Sequence, residues 1–529
     1  MKASPQSPRA STDPFEEIRR ALLGLWSARH GLIVLVVSLL GFLLVINSSW
    51  KATPDSALYL ELGQSLAGGK GYVFNGEPHT YVPPGFPALV AVAVATAGED
   101  FLTYRILMAL LAMLTAGAGF LFVYRMCGAD VAFFAGGLFA VNHTLLSNCT
   151  FTTSDVPFAL VSLVALNAVL RAGGREATYL RVVPVGLLIG LPALVRVNGW
   201  GLPPAAALFL WSSLAAGSRR RIGLVVVFLL AALIPTVAWE AYKAHFPISQ
   251  TEGSYFDAVT GRGLWTQAHI IVTALLEYVP ETFDAVAGVS VKTGVIEGCL
   301  AIVMAVGAVA VFKNGERLLV PLTVIQFGGL ALSPAGSRYL LLLIPGLYLF
   351  LALGLIRVHE WAARRLGSRA AWIPSQRGLL VGVFCTLAVL NVGHNVGTII
   401  QARTALEKGG AESAHDLPFF VAARWLKSRQ EQGPLLTMHP RVVHFLSGIK
   451  TVELVRSGVP EHEVWVDRRE AIGRLIQEHH PTFFFSDSAN ERLFKEAEAA
   501  AESLGLRLEE IPEASVSHRF RLWRLRPAG

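Results

Sequence analysis

KATPDSALYLELGQSLAGGKGYVFNGEPHTYVPPGFP, residues Lys51 to Pro87, is the stretch on which the reading of this chain turns. It follows a long apolar run and is the first polar segment after it. It opens with an acid, Asp55, ahead of Leu58, Leu62 and Leu66, one apolar residue every four positions, which is one face of a helix. Gly68, Gly69 and Gly71 end that helix. An aromatic, proline-rich segment (Tyr81, Pro83, Pro84, Phe86, Pro87) then leads back to apolar sequence.

The composition around this stretch belongs to a membrane protein. Of 529 residues 53% are hydrophobic and only 16% are charged, where a soluble domain has about 25% charged. Apolar runs of about 15 to 20 residues recur, as in a chain that crosses a bilayer many times. The net charge of +7 lies mostly in short basic clusters between those runs. It is an orientation signal, and no nucleic-acid partner is implied. The four cysteines (Cys127, Cys149, Cys299, Cys385) have neither metal-ligand spacing nor a disulfide pattern. Asn47-Ser48-Ser49-Trp50 is a poor cleavage site after the first apolar run, which therefore reads as an uncleaved anchor.

Residues 1–30 are polar and basic (Arg19, Arg20, Arg29) and read as a cytoplasmic N-terminus. Gly31–Asn47 is then the first span, and 48–104 an external loop. Pro84–Gly98 is too short to cross and reads as an interfacial or re-entrant helix. With that choice every later basic cluster falls on the cytoplasmic side. Val182–Leu214, basic at both ends, reads as a hairpin crossing twice, with Arg196 at its external turn. Residues 240–296 read as a second long external segment, and Ser333–Arg338 as a tight external turn. The expectation is about 11 spans across residues 31–402, with the C-terminus outside.

From residue 403 the composition becomes that of a soluble domain. Alternating strand and helix patterns across 403–529, the apolar strand Pro481–Ser486 among them, predict a small extracytoplasmic α/β domain. It has no glycine-rich phosphate fingerprint and no metal motif.

Pro54-Asp55-x-x-x-Tyr59, Gly69-Lys70-Gly71-Tyr72 and Pro83-Pro84-Gly85-Phe86-Pro87 together resemble the first external loop of the GT-C membrane glycosyltransferases. Within that group they are most similar to the bacterial protein-mannosyltransferase and lipid A aminoarabinose-transferase-like branch. The resemblance covers roughly residues 30–360. It implies a GT-C-like, α-helical polytopic membrane protein of the bacterial inner membrane, with a catalytic cavity at the external face. It implies transfer of a sugar from a polyprenyl-phosphate donor to an envelope acceptor, a lipid, glycan or protein hydroxyl. It implies no cofactor, and leaves open whether a divalent metal assists.

The resemblance also implies roles for residues that the topology gathers at one face. Asp55 stands where the family has its catalytic acid, as a general base within reach of an acceptor hydroxyl. The plainer role is helix capping, since Thr53 is a good N-cap, Pro54 suits the first helical position and an acid there complements the dipole. Asp155, in Thr152-Thr153-Ser154-Asp155-Val156-Pro157, is a second catalytic candidate or again a cap. Arg196, inside an apolar stretch, is either a phosphate contact or a snorkelling turn residue. Ser337-Arg338-Tyr339 resembles the family's Arg-Tyr motif for the lipid-linked phosphate, or is an interfacial aromatic and basic belt. Tyr59, Glu77, His79 and Tyr81 complete the candidate substrate-binding set. His79 stands where the aminoarabinose branch has a lysine. A neutral imidazole carries no charge, which weakens a phosphate role and argues against aminoarabinose as the sugar.

The alternative is a lipid or glycan transporter, which would need ionisable groups along a path through the membrane. Here the apolar runs are nearly free of central charge and the acids gather at one face. A structural scaffold for envelope assembly would leave Asp55 replaceable.

Overall fold

A computed structural model describes residues 15–23, 28–173, 178–214, 217–246, 264–289, 293–332, 335–366, 374–404, 417–430, 433–454, 468–487, 491–515 and 520–528. Two short helices lead in, α1 (Glu16–Leu22) and α2 (Ala28–Leu44). The opening stretch of interest then forms α3 (Pro54–Ala67), a small hairpin β1 (Val73–Phe74) and β2 (Glu77–Pro78), and α4 (Gly85–Ala97). The apolar part continues with α5 (Phe101–Cys127), α6 (Ala129–Ala140), α7 (His143–Cys149), α8 (Asp155–Ala172), α9 (Tyr179–Gly190), α10 (Leu202–Ser213) and α11 (Ser218–Lys243). It closes with α12 (Leu264–Ala287), α13 (Val295–Lys313), α14 (Leu319–Leu330), α15 (Ile344–Leu366) and α16 (Gln376–Thr404).

Six described helices are long and apolar enough to cross a bilayer, or up to seven if the bent pair α6 and α7 is one span. The eleven spans expected from sequence are not reached by length and composition. The cause lies in the short helices. Ile33–Leu44, Gly85–Ala97, Tyr179–Leu194 and Leu319–Leu330 are each apolar but only 10–17 residues long, and a 12-residue helix rises ~18 Å against a hydrocarbon core of ~30 Å. The stretch read as a crossing hairpin is α9, two 3₁₀ turns (Leu191–Leu194 and Val197–Gly201) and α10, with Arg196 at the bend between the turns. Residues 247–263 and 290–292 of the segment read as external lie outside the described residues, as do 333–334 of the Ser333–Arg338 turn. The described part of the first segment holds the 24-residue helix α12.

Two breaks in the helices have local causes. α6 contains a π turn at Ala132–Gly136, and the chain bends by 42° into α7. Asn142 sits at that bend. Its side chain accepts from Leu145 N, capping α7, and donates to Ala285 O and the Tyr348 hydroxyl. Asn391 of α16 reaches the same point and donates to Val286 O. Buried amides thus satisfy the backbone groups that the bend and the end of α12 expose.

Helix α13 packs closely on α15. Gly307 lies against the Phe350 carbonyl and Gly354 against the Val303 carbonyl, so that a Cβ on either glycine would collide with backbone. Backbone cannot rotate away as a side-chain end can, so this pair of glycines sets the distance between the two helices.

The soluble part is the α/β unit expected. It comprises α17 (Leu417–Ser428), β3 (Leu435–Thr437), α18 (Pro440–Ser447), β4 (Thr451–Glu453), α19 (Arg468–His479), β5 (Phe483–Asp487), α20 (Glu491–Ser503), β6 (Leu506–Glu510) and β7 (Phe520–Pro527). The five-stranded sheet has the order β4-β3-β5-β7-β6. β3 pairs in parallel with β4 and β5, while β7 pairs antiparallel with β5 and β6. The run Phe483-Phe484-Phe485 is buried on both faces of this central strand. The unit docks on the helical part through aromatic packing. Trp50 stacks on Phe101 (5.5 Å between centroids) and meets Phe420 of α17 at 6.0 Å and Phe445 of α18 at 5.1 Å.

Replacing Gly354 by leucine should push α13 and α15 apart and cost about 1–3 kcal/mol or more, as overpacking does. Gly298→Ala in α13, where nothing lies within 4 Å of the added carbon, should be close to neutral. Thermal unfolding of the detergent-solubilised variants checks this. Equal midpoints for the two would show that the contact does not control helix spacing.

Candidate active site

The geometry begins with helix α3. Thr53 is its N-cap. The Thr53 side chain accepts from Ser56 N at 3.1 Å, and the Ser56 hydroxyl accepts from Thr53 N at 3.1 Å. This reciprocal box satisfies the free amides at the helix start. Asp55 is therefore not the cap. Its carboxylate is half exposed, with Arg338 Nη2 4.0 Å from Oδ2 and Arg441 Nη1 3.6 Å from Oδ1. One turn on, Tyr59 is buried and its hydroxyl is 2.9 Å from Ser154 Oγ. Burial, with Asp55 adding to it, pushes the Tyr59 phenol upward, so it stays protonated.

The second strip of the site is the turn into α8. Asp155 is the first residue of that helix and is 3% exposed. Its Oδ2 accepts from Thr153 Oγ1 (2.9 Å), and its Oδ1 is bonded and ion-paired to Arg196 Nη1. Arg196 lies in extended backbone between the two 3₁₀ turns, which throws its side chain toward Asp155. The turn is held from the other side by α4. A Cβ on Gly85 would stand 2.6 Å from Leu194 O, so the Pro83-Pro84-Gly85 run allows α4 to start directly against the arginine hairpin.

Two further arginines join these strips. Arg105, in the first turns of α5 and 4% exposed, donates Nε to Ser49 O (3.2 Å) and Nη1 to Thr150 O. It bolts together the segments that carry Asp55 and Asp155. Arg338, on the 3₁₀ turn Ser337–Leu340, donates to the Tyr339 hydroxyl at 2.6 Å. The guanidiniums of Arg338 and Arg196 both lie over the Tyr339 ring, 4.7 and 4.9 Å from its centroid. Asp55, Tyr59, Asp155, Arg196, Arg338 and Tyr339, which span most of the apolar part in sequence, thus converge on one patch.

The remaining sequence candidates are used differently. His79 is 4% exposed and its Nε2 accepts from Val82 N (3.1 Å). Burial and the nearby Arg441 charge lower its pKa to about 3, so it is a neutral staple of the loop. Glu77, on the exposed hairpin, is 3.9 Å from Lys450 of the α/β unit. Tyr81 lies beneath Arg441, 6.0 Å from ring centroid to guanidinium carbon.

Sequence reasoning did not find Arg441, or the contacts that hold it. His444, one turn along α18, bonds through Nε2 to Glu61 Oε1 of α3 (2.7 Å), and its Nδ1 faces Ile449 O at 2.6 Å. Glu61 Oε1 also accepts from Asn75 N, and Asn75 Nδ2 donates to Thr451 O. Nothing in the α18 sequence marks it as a site element. The only local sign is that Pro440 starts a short amphipathic helix whose Val442 and Val443 are buried. Among the described residues no three His, Cys, Asp or Glu side chains cluster as metal ligands would.

Residues 81–239 match a family model described as dolichyl-phosphate-mannose-protein mannosyltransferase. Asp155 and Arg196 fall inside that match, and Asp55 precedes it. Among solved structures, ArnT from Cupriavidus metallidurans in the apo state is 16% identical, with 95% of this chain aligned to 99% of that one at a TM-score of 0.51. The Archaeoglobus fulgidus oligosaccharyltransferase with zinc and sulfate is 13% identical over 90% of this chain and 71% of its own, at a TM-score of 0.54. The archaeal oligosaccharyltransferase AglB of the same organism, with an inhibitory peptide and a dolichol-phosphate, gives 13%, 92%, 74% and 0.53. No curated protein matches the chain in sequence. At such identities the likeness is one of fold, and the fold is that of the GT-C glycosyltransferases, as the loop motifs implied.

The His444–Glu61 bond makes the seating of α18 sensitive to pH. Burial alone would lower the His444 pKa, but the bond to Glu61, its charge and the Ile449 carbonyl outweigh that, and the net direction is upward from 6.5. A histidine raised in the folded state adds stability below the unfolded value and loses it as pH rises through the folded one. The midpoint advantage of wild type over Glu61→Gln should therefore be largest below about pH 6.5 and shrink at alkaline pH. Thermal scans from pH 5.5 to 9 measure it. An advantage that grows with pH would rule out a charged His444 in the contact.

Proposed function

We propose that this protein transfers a sugar from a polyprenyl-phosphate donor to a hydroxyl of an envelope acceptor at the external face of the bacterial inner membrane, with Asp55 as general base. The observation that carries the reading is the state of Asp55. Helix α3 is capped by Thr53 and Ser56 without it, so capping does not call on the carboxylate at the start of that helix. It is half exposed and faces two guanidiniums. The GT-C fold and the mannosyltransferase family match over 81–239 add independent support. A fold neighbour was solved with a dolichol-phosphate, which is the chemistry assigned here to the donor.

The reaction proposed is a direct displacement. The acceptor hydroxyl gives its proton to Asp55 as its oxygen forms a bond to the anomeric carbon of the sugar. The bond from that carbon to the phosphate oxygen breaks, and the phosphate leaves with the electron pair. Arg338 and Arg196, stacked over Tyr339, hold the leaving phosphate and stabilise the charge it gains. Asp155 has both oxygens engaged by Thr153 and Arg196, so its part is to aim Arg196 and it is a positioning residue. Tyr59, kept protonated, ties α3 to the turn at Ser154. A lipid phosphate already activates the sugar, so the mechanism calls on no nucleotide site and no cofactor. The topology that follows has the N-terminus in the cytoplasm and the α/β unit outside.

The test uses purified protein in lipid vesicles, a panel of radiolabelled polyprenyl-phosphate sugars and an extracted envelope fraction. Asp55→Asn should lower transfer by at least about 10²-fold with an unchanged unfolding midpoint. Wild-type protein that instead moves the lipid-linked sugar between leaflets without transferring it would support the transporter reading.

A further inference from the structure

Two guanidiniums flank Asp55, and they come from different parts of the molecule. Arg338 faces Oδ2 and belongs to the helical part, beside Arg196 and Tyr339. Arg441 faces Oδ1 and belongs to α18 of the α/β unit, over Tyr81. At 4.0 and 3.6 Å both nitrogens stand just beyond hydrogen-bond length from the carboxylate. The Arg441 side chain is only 13% exposed while the Asp55 side chain is 50% exposed. The arginine is thus held by its surroundings, and the carboxylate looks out to where a ligand enters.

The holding contacts are specific. One turn beyond Arg441, His444 is bonded to Glu61, which lies on the same helix as Asp55. Asn75 and Thr451 exchange two hydrogen bonds, Nδ2 to the carbonyl at 2.9 Å and N to Oδ1 at 3.3 Å. Together with the Trp50 cluster these set the position of α18 along α3. Asp55 thus has Arg338 beside Oδ2 and Arg441 beside Oδ1, while the neighbouring Asp155 is taken up by Arg196.

We propose that Arg441 is the acceptor-binding residue of this site, and that the acceptor carries an anionic oxygen group beside the hydroxyl that is glycosylated. This rests on the glycosyltransferase reading above. If Arg338 holds the donor phosphate on one side of Asp55, the proton to be removed arrives at the other oxygen, next to Arg441. A guanidinium there presents a planar fork of N–H donors, the shape that matches a carboxylate or phosphate. The α/β unit then supplies half of the substrate surface, and α3 reads both substrates through the two oxygens of one carboxylate.

The experiment separates an extracted envelope fraction into anionic and neutral pools by anion exchange and offers each to the vesicle-embedded full-length protein with a radiolabelled polyprenyl-phosphate sugar. Wild type should label the anionic pool. Arg441→Ala should raise the half-saturating amount of that pool by tenfold or more and leave half-saturation by the donor within twofold. Arg441→Lys should recover part of the loss, and Lys450→Ala, at the same interface but outside the site, should match wild type. Labelling confined to the neutral pool would overturn the proposal. So would an Arg441→Ala effect on donor half-saturation, an equal loss in Lys450→Ala, which would make the contact one of docking only, or no loss in Arg441→Ala. A wild type that transfers no sugar at all would overturn the glycosyltransferase reading and this proposal together.

Discussion

A carboxylate taken out of water at the end of an apolar helix costs on the order of several kcal/mol unless a partner repays it, and Asp155 has that partner in Arg196. The pair is among the least exposed charged contacts in the described structure, at 2% for the Asp155 side chain and 22% for Arg196. Much of the site depends on it. Arg196 can reach Asp155 only because two 3₁₀ turns leave it extended between them, and those turns are pressed against the glycine start of α4. The same guanidinium rests on Tyr339, whose ring also carries Arg338. One buried pair therefore joins α8, the hairpin between α9 and α10, and the 337–340 turn, none of which is adjacent to the others in sequence. The surface charges Asp55 and Arg338 then sit on a base that cannot shift without separating a buried ion pair.

The α/β unit is built into that base from the opposite direction. Its aromatic residues Phe420 and Phe445 close over Trp50, and its α18 runs beside α3 with Arg441 and His444 meeting Asp55 and Glu61. Aromatic packing supplies apolar contact and the directed contacts supply register. A unit that merely decorated the external face would need only the first. The presence of both is what makes its arginine part of the geometry around Asp55.

Much of this architecture is legible in the sequence, and the parts that are not have physical reasons. The strand proposed at Pro481–Ser486 in the α/β unit recurs as Phe483–Asp487, because soluble elements of that length carry clear periodicity and turn chemistry. The capped start of α3 follows from Thr53, Pro54 and Asp55 by local rules alone. The proximity of Asp55, Asp155, Arg196 and Arg338 is visible in their contacts, whereas the sequence groups them only through an assumed topology. The span count was not legible. Short apolar helices such as Tyr179–Leu194 and Leu319–Leu330 look like spans in composition, and whether each crosses is decided by packing. Arg441 was not legible either. It meets Asp55 across 386 residues by number, and no local pattern distinguishes an arginine that leaves its own domain from one that faces water. His79 was legible only as a polar residue in a promising loop. The backbone N–H of Val82 that claims its ring is invisible until the loop closes.

The polar residues inside the bundle bear on the choice between surface chemistry and translocation. A path for a charged head group needs polar side chains whose partners can be exchanged for the cargo. One interior group of such residues is Asn142, Tyr348 and Asn391, and each is spent on structure. Asn142 caps α7 and donates to Ala285 O, the Tyr348 hydroxyl donates to Val286 O at 2.8 Å, and Asn391 donates to Val286 O and Leu387 O. Displacing any of them would expose the backbone of a bent or ending helix, at a cost of about 1–3 kcal/mol per unsatisfied group. By contrast the Asp55 carboxylate is half exposed, with Arg338 and Arg441 nitrogens 4.0 and 3.6 Å from its oxygens. Interior polarity in this fold closes the bundle, and the surface polarity is what remains available for substrate. That division of labour suits the transfer proposed above better than a path through the bundle.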